Sequence, residues 1–349
     1  MCQDGGSFTV WKETMIGFAQ ISDLHFGYVL ANTGRGAIPH QRPHDLAKCL
    51  ALPGAIDAAM MTAQLPDGAP TRVVASGDLS VSGTAAQFAV AHAYLRSEVA
   101  INRFPAPYGV MGLKLSPDDL HVVPGNHDHW DGNRTNTSPY NGNLFDEQFR
   151  ITPWKKTWQS AEGLELEVFG IDSNSGWNPQ VSGISRHATG GLFARGLISD
   201  AEFQSLEALL IQSNTLGAKR VRAIVCHHSV SYRGGRLRKL ELDPSCRDRL
   251  VELAGRYRVA AILTGHVHDS HYSTAPGVGY DGKVWPVNEL RCSSTLGWPD
   301  TASDENGFLF HRIAGFKSQW EWRVWRYGWD GVGYVCGSQR PWHRFSGSF

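Results

Sequence analysis

Five short segments of this 349-residue chain carry side chains of the kind that hold metal ions: Asp23-Leu24-His25, Gly77-Asp78, Gly125-Asn126-His127-Asp128, His227-His228 and Gly265-His266-Val267-His268. Carboxylates, imidazoles and an amide oxygen form a mixed nitrogen and oxygen donor set without thiolate. Such a set suits manganese, iron, cobalt, nickel or zinc better than calcium or magnesium. Asp-x-His and Gly-Asp are ordinary turn sequences when taken alone. Gly-Asn-His-Asp after an apolar run and a proline is rarer. The two histidines of Gly-His-x-His, after Ala-Ala-Ile-Leu-Thr, are costly to bury unless something binds them. Any one segment could be a strand-end turn of hydrogen-bonded polar residues, whereas the five in this order point to one metal centre.

Such side chains must be brought together by the elements that precede them. Each segment follows an apolar run that reads as a buried strand: Gly17 to Ser22, Val73 to Ser76, Leu120 to Pro124, Val221 to Cys226 and Val259 to Thr264. In open α/β sheets, ligands bind at the carboxyl ends of strands, so these loops can converge on one point. Helical patterns lie between them at His44 to Ala63, Thr84 to Val99, Asp200 to Ser213 and Pro244 to Ala254. The alternation predicts βαβ units and a sheet with parallel strands, covered by helices. Asp200, Glu202 and Phe203 followed by Leu206, Leu209 and Leu210 read as a capped amphipathic helix. Turn-forming residues fill Asp131 to Asn143, a loop that leaves directly from the site. After His268, five runs (His271 to Thr274, Val284 to Val287, Leu290 to Ser294, Gly307 to Ile313 and Gln319 to Tyr327) read as antiparallel strands of a second sheet. The last has Trp320, Trp322 and Val324 on one face and Glu321, Arg323 and Trp325 on the other. Tryptophans packed on the core explain this stripe better than an aromatic ligand platform.

The order of the segments and their glycines resembles the calcineurin-like metallophosphoesterases, from about Phe18 to Phe316. The resemblance implies an α/β fold, a four-layer α/β/β/α sandwich of two mixed sheets flanked by helices. Residues 1–16 would be an N-terminal extension, 17–316 the metallophosphoesterase domain, and 317–349 an aromatic-rich strand and tail packed on it. Asp23, His25 and His268 would hold one ion, Asn126, His227 and His266 a second, and Asp78 would bridge them. His227 rather than His228 is taken as the ligand because it directly follows the strand. The cofactor implied is a pair of divalent transition-metal ions, manganese or iron ahead of zinc, cobalt or nickel. Two divalent ions, two aspartates and a bridging hydroxide leave the site near plus one, a charge that a phosphodiester monoanion neutralises. His127 would not be a ligand but would donate to the leaving oxygen, oriented by Asp128. His129, Trp130 and Arg233 are candidates for lining the substrate pocket, Arg233 within a basic run with Arg236, Arg238 and Lys239.

Departures from neighbouring patterns narrow the branch. Ser/Thr protein phosphatases of this superfamily have Gly-Asp-x-Val-Asp-Arg-Gly and Gly-Asn-His-Glu, where this chain has Gly77-Asp78-Leu79-Ser80-Val81-Ser82-Gly83 and Asp128. Purple acid phosphatases have a tyrosine ligand at the position of Val81. What remains is similar to bacterial phosphodiesterases related to the class III cyclic-nucleotide enzymes. The shared features include Gly-Asp-Leu-Ser-x-Ser-Gly leading into a helix with Phe88, and the strand end Phe169-Gly170-Ile171-Asp172-Ser173. The expected activity is hydrolysis of a small phosphodiester. A phosphomonoesterase, a nuclease or a non-catalytic metal-binding scaffold of the same superfamily are the alternatives.

Composition sets the outer bounds. Lys plus Arg equals Asp plus Glu at 33 each, so no global field draws the chain to a nucleic acid duplex or an anionic membrane. With 42% hydrophobic residues it can bury a substantial core. The six cysteines are scattered without Cys-x-x-Cys, which reads as reduced thiols in a cytoplasmic protein. No stretch approaches the roughly eighteen apolar residues of a membrane span, and no secretory signal pattern opens the chain. Nothing in the sequence fixes the oligomeric state.

Overall fold

In the computed structural model, residues 14–27, 44–97, 99–103, 106–130, 143–177, 195–213, 219–231, 241–297 and 305–349 are described. Along the chain run β1 (Met15–Ile21), α1 (Leu46–Thr62), β2 (Val73–Ala75), α2 (Ala85–Arg96), β3 (Val99–Arg103), β4 (Ala106–Met111), β5 (Leu120–Val122) and α3 (Asn143–Gln148). They continue with β6 (Trp154–Gln159), β7 (Leu164–Gly170), α4 (Asp200–Gln212), β8 (Lys219–Val225), α5 (Pro244–Arg256) and β9 (Ala261–Thr264). Last come β10 (His271–Val278), β11 (Val284–Arg291), β12 (Gly307–Phe316), β13 (Gln319–Trp329), β14 (Tyr334–Cys336) and β15 (His343–Ser348). Helix starts are set by side chains that accept from free backbone amides. Asp45 caps α1, Thr84 and Gln87 form a capping box at α2, Ser199 caps α4, and Asp243 followed by Pro244 opens α5.

Two mixed sheets result. The first has the order β14-β13-β12-β1-β2-β5, with β15 also paired to β13; β1, β2 and β5 run parallel, while β12 is antiparallel to β1. The second has the order β10-β11-β9-β8-β7-β6, with its four central strands parallel. The runs after His268 therefore do not make a second sheet of their own. β10 and β11 extend the second sheet beside β9, and β12 and β13 extend the first beside β1. Val284 to Val287 and Leu290 to Ser294 also belong largely to one strand, β11, because Asn288 to Arg291 pair continuously with β9.

Strand alternation divides the core into layers. Phe18, Val74, Leu166, Val168, Val221, Ala223 and Trp322 point between the sheets. Ala19, Ile21, Val73 and Trp325 face α1 and α2, while Ile224 and Ile262 face α4 and α5. This is the four-layer α/β/β/α arrangement. Trp320 and Trp322 are buried between the sheets and Trp325 on the opposite side of β13, so the tryptophan stripe is core. A buried polar chain crosses the inter-sheet layer. Trp322 Nε1 donates to His311 Nδ1 at 3.1 Å, and His311 Nε2 donates to Gln20 Oε1 at 3.1 Å. Gln20 Nε2 in turn donates to the Thr264 and Leu290 carbonyls at 2.9 and 3.2 Å. Burial lowers the His311 pKa to about 3, so its ring is neutral with one proton to donate. Among the described residues five cysteines are free, and no helix is long and apolar enough to cross a membrane.

Trp322 is fully buried and stacks on Phe345 with ring centroids 5.4 Å apart. Trp322→Ala removes that contact and the first link of the polar chain. It should lower the free energy of unfolding by about 3–5 kcal/mol in denaturant titration. A loss below about 1 kcal/mol would mean that the two sheets are not held together through this residue.

Candidate metal centre

The strand ends of both sheets meet at one place. β1 delivers Asp23 and His25, β2 Asp78, β5 Asn126 and His127, β8 His227, and β9 His266 and His268. Their donor atoms form three overlapping groups, Asp23–His25–His268, His25–Asp78–His127 and Asp78–His227–His266, with the atoms of each group within 4.8 Å of one another. Asp78 belongs to two of the three. The loops that present these side chains are bent sharply after each strand. Asp23, His25, Asp78, His266 and His268 all have positive φ, between 49° and 71°. An L-residue held there costs on the order of 1–3 kcal/mol, and such strain collects at functional sites. Two glycines make the close approach possible: a Cβ at Gly125 would land on the Asp78 carboxylate, and one at Gly77 on the His227 ring.

Each donor is aimed by a second contact. Asp23 Oδ2 accepts from the Ser22 hydroxyl at 2.5 Å and from the His266 amide at 3.0 Å, which leaves Oδ1 turned to the site, 3.2 Å from His268 Nε2. Asp78 Oδ1 accepts from the His127 amide at 2.9 Å, and its Oδ2 lies 3.2 Å from His227 Nε2. His227 Nδ1 donates to the Ser76 carbonyl at 2.7 Å, so Nε2 is the ring atom turned into the cluster, 3.1 Å from His266 Nδ1. His228 does not share this position; its Nδ1 meets the Ser173 hydroxyl at 2.8 Å. Behind the second sheet's two loops, Glu289 accepts from Ser229 Oγ, the Val230 amide and Thr264 Oγ1 at 2.6, 3.1 and 2.8 Å. One buried carboxylate thus ties the ends of β8 and β9.

The electrostatics fit a cation pair. Asp23 Oδ1, His25 Nε2 and Asn126 Oδ1 are buried without a hydrogen-bond partner, an arrangement that water-excluded polar atoms avoid unless an ion takes up their lone pairs. Burial by itself would raise the Asp23 and Asp78 carboxyls. The histidines facing them, His268 for Asp23 and His227 for Asp78, hold both below the usual carboxylate range. Burial would lower His227, yet Asp78 and Asp23 carry it to about 9; burial and the nearby His127 take His25 down to about 3. In the protein alone, protons on histidine therefore answer the two carboxylates. Divalent cations would do so with twice the charge and satisfy the orphaned atoms as well. Asp23, His25, Asp78, Asn126, His227, His266 and His268 are the residues that could hold them.

His127 shares a donor group with His25 and Asp78, its Nε2 3.9 Å from Asp78 Oδ2. The expected orienting contact from Asp128 is not the one observed. His127 Nδ1 donates instead to the Val81 carbonyl at 2.9 Å, and the Trp130 ring packs on the imidazole with centroids 3.7 Å apart. Asp128 accepts from the Leu79, Ser80 and Gly125 amides and from Ser80 Oγ, at 2.8 to 3.1 Å. Its geometry makes it a staple between the loops after β2 and β5, because a side chain one residue on in this tight turn points away from its neighbour's ring. His129 is buried with Nε2 3.3 Å from Asp172 Oδ2. Arg233, the basic run around it and residues 131–142 of the loop lie outside the described residues. The sequence reading missed Val81, whose contribution is a carbonyl with no side-chain signature. It also missed Ser22, Ser76 and Glu289, which carry no recognisable spacing.

A profile of calcineurin-like phosphoesterases matches residues 16–270 of the chain. No curated protein sequence matches it. Similar solved structures include GAP50, the anchor in the inner membrane complex of Plasmodium, at 11% identity and a TM-score of 0.49 over 96% of this chain and 88% of that one. Another is the purple acid phosphatase PPD1 from yellow lupin (Lupinus luteus) seeds, at 12% identity and a TM-score of 0.49 over 97% of this chain and 54% of that one. A third is wild-type Vps29 of Entamoeba histolytica complexed with zinc, at 10% identity and a TM-score of 0.34 over 95% of this chain and 99% of that one. These distant likenesses say nothing about activity.

If Asp78 is shared between two ions, Asp78→Asn should lower metal content at both sites, whereas His25→Ala should lower it at one. Elemental analysis after manganese or iron reconstitution reads this directly, and equal single-site losses in the two variants would remove Asp78 from the bridging position.

Glu202 gives a pH test of the site's surroundings. It accepts from the Asp172 amide at 2.8 Å, and burial, reinforced by the Asp172 charge, raises its carboxyl from 4.5 to about 8. The folded state thus keeps a proton that the unfolded chain loses from about pH 4.5 upward, so this group's contribution to stability falls as pH rises to about 8 and is level beyond. Glu202→Gln should flatten the dependence of Tm on pH between 5 and about 8.5. Parallel curves for the two proteins would show that the carboxyl is not held neutral.

Proposed function

The chain belongs to the calcineurin-like phosphoesterases, and on that premise we propose that it hydrolyses small phosphodiesters at a centre of two divalent transition-metal ions. The observation that carries the reading is His127: its Nε2 faces the carboxylate of Asp78, which two donor groups share, while its Nδ1 is occupied by Val81. Asp23, His25 and His268 would hold one ion, Asn126, His227 and His266 the other, and Asp78 both. Ions held there would supply a lowered pKa for an attacking water, coordination of phosphoryl oxygens and charge to offset that of the transition state. The chain's own part is to orient and to move a proton. The Val81 carbonyl fixes the Nδ1–H of His127, so an imidazolium at this position donates from Nε2 toward the leaving oxygen. Trp130, packed on that ring, limits its rotation and keeps water from one face. A diester monoanion suits a site near plus one, and Val81 stands where a tyrosine ligand would be needed for purple acid phosphatase chemistry. Manganese or iron is the metal pair proposed.

His127→Ala should leave metal content unchanged and lower kcat by roughly 10² to 10⁴ on an unactivated diester. The loss should shrink on nitrophenyl esters, whose leaving groups hardly need a proton. With manganese near neutral pH, kcat/KM on bis-nitrophenyl phosphate should exceed that on the monoester. A tenfold preference for the monoester would make the protein a phosphomonoesterase, and no turnover of either ester with both metals bound would make it a binding scaffold.

A further inference from the structure

A pocket of about 300 Å³ lies where α2, α3 and the edge strands β5 and β6 meet, apart from the donor residues of the metal centre. Its charges do not balance. Arg96 from the end of α2, Arg150 after α3 and Lys156 on β6 line it, and Asp118 is the acidic residue lining it. Lys156 already engages Asp118 at 2.7 Å, so among the described lining residues three cations face one carboxylate, an excess of two positive charges. Arg96 is the most exposed to this deficit. Its Nε and Nη1 are buried without a hydrogen-bond partner, and burial, opposed only by distant Asp118, lowers its pKa. Two unused donors on a half-buried guanidinium are costly, and a planar fork of this kind matches a phosphate or carboxylate. His121 adds a neutral wall: its Nε2 donates to the Asp118 carbonyl at 3.1 Å, and its ring packs 5.4 Å from that of Trp154. Burial, with the fields of Lys156 and Arg150, takes it to about 4, so it adds no further charge at neutral pH.

We propose that this pocket binds a phosphoryl dianion, either inorganic phosphate or the phosphate head of a small organic compound. The charge of such a group equals the local excess, its oxygens suit Arg96 and Arg150, and Trp154 provides an apolar flank for a small organic part. The volume, about 300 Å³, is at the low end for ligand sites and matches a small headgroup. The assignment does not depend on turnover at the metal centre.

The test is equilibrium dialysis of the metal-loaded protein against inorganic phosphate, and separately against phenylphosphonate, whose P–C bond is not hydrolysed. The wild type should bind phosphate at a site that persists when the metals are removed by chelation. Arg150→Gln, at an exposed position, should weaken that site by about tenfold or more while leaving metal content unchanged, and Arg96→Gln should weaken it at least as much. Tighter binding of phenylphosphonate than of phosphate would identify an organic phosphate as the ligand class, and the reverse order would identify free phosphate. Binding that vanishes with the metals, or an isotherm that Arg150→Gln leaves unchanged, would overturn the proposal.

Discussion

Two aspartates and a set of imidazoles converge in a buried cluster, and the rest of the structure is arranged around the cost of keeping them there. Asp23 and Asp78 are both fully buried, at 0% and 1% exposure, and the Asp78 charge acts to raise the pKa of both Asp23 and Asp128. Neither can ionise inside protein without positive charge close by. In the chain alone that charge comes from protonated histidine, above all His227. Cations would supply it more completely, because they would also take up His25 Nε2 and Asn126 Oδ1, which have no hydrogen-bond partner. The same constraint explains why none of the seven donors comes from a flexible surface position: all follow strands whose backbones are locked into a sheet.

That locking is a property of two sheets acting together. The first sheet contributes Asp23, His25, Asp78, Asn126 and His127, and the second His227, His266 and His268, so the cluster exists only if the sheets keep their relative position. The packed layer between them and the buried chain from Trp322 through His311 and Gln20 to the carbonyls of Thr264 and Leu290 hold that position near the ligand-bearing strand ends. Asp23 adds a direct link by accepting the His266 amide across the gap. Within each sheet, Asp128 fastens the loops after β2 and β5, and Glu289 fastens those after β8 and β9. Rigid placement of this kind keeps five residues at positive φ, which a looser frame would allow to relax.

The neighbourhood of His127 shows how cluster-facing and supporting side chains separate within one tetrapeptide. Asn126 offers an unused oxygen to the cluster, His127 stands beside it with its ring turned by Val81, and Asp128 spends both oxygens on backbone amides and a serine. Gly125 is there because any side chain would displace Asp78. Of four adjacent residues, one leaves an oxygen unpaired beside the cluster, one turns its ring toward Asp78, one braces two loops and one makes room. A side chain's task is set by the direction its Cα–Cβ bond leaves the turn.

How much of this was legible in the sequence follows from the range of the forces involved. The apolar runs, the capped helices and the five ligand segments are local patterns, and they were enough for the α/β class, for strand-end placement and for the metal-binding character of the residues. Trp320 and Trp322 were readable as core because strand alternation is also local. The partners of the strands after His268 were not readable, since pairing of β10 and β11 with one sheet and of β12 and β13 with the other depends on hydrogen bonds to β9 and β1, far away in the chain. Asp128 differs for the same reason: the family resemblance implies a contact with His127, whereas its partners Leu79 and Ser80 reach it only after β2 and β5 pair. Residue types and spacing determined which atoms could bind a metal. Tertiary structure alone decided which of those atoms are left without a partner, because an oxygen or nitrogen is orphaned only by everything that folds around it.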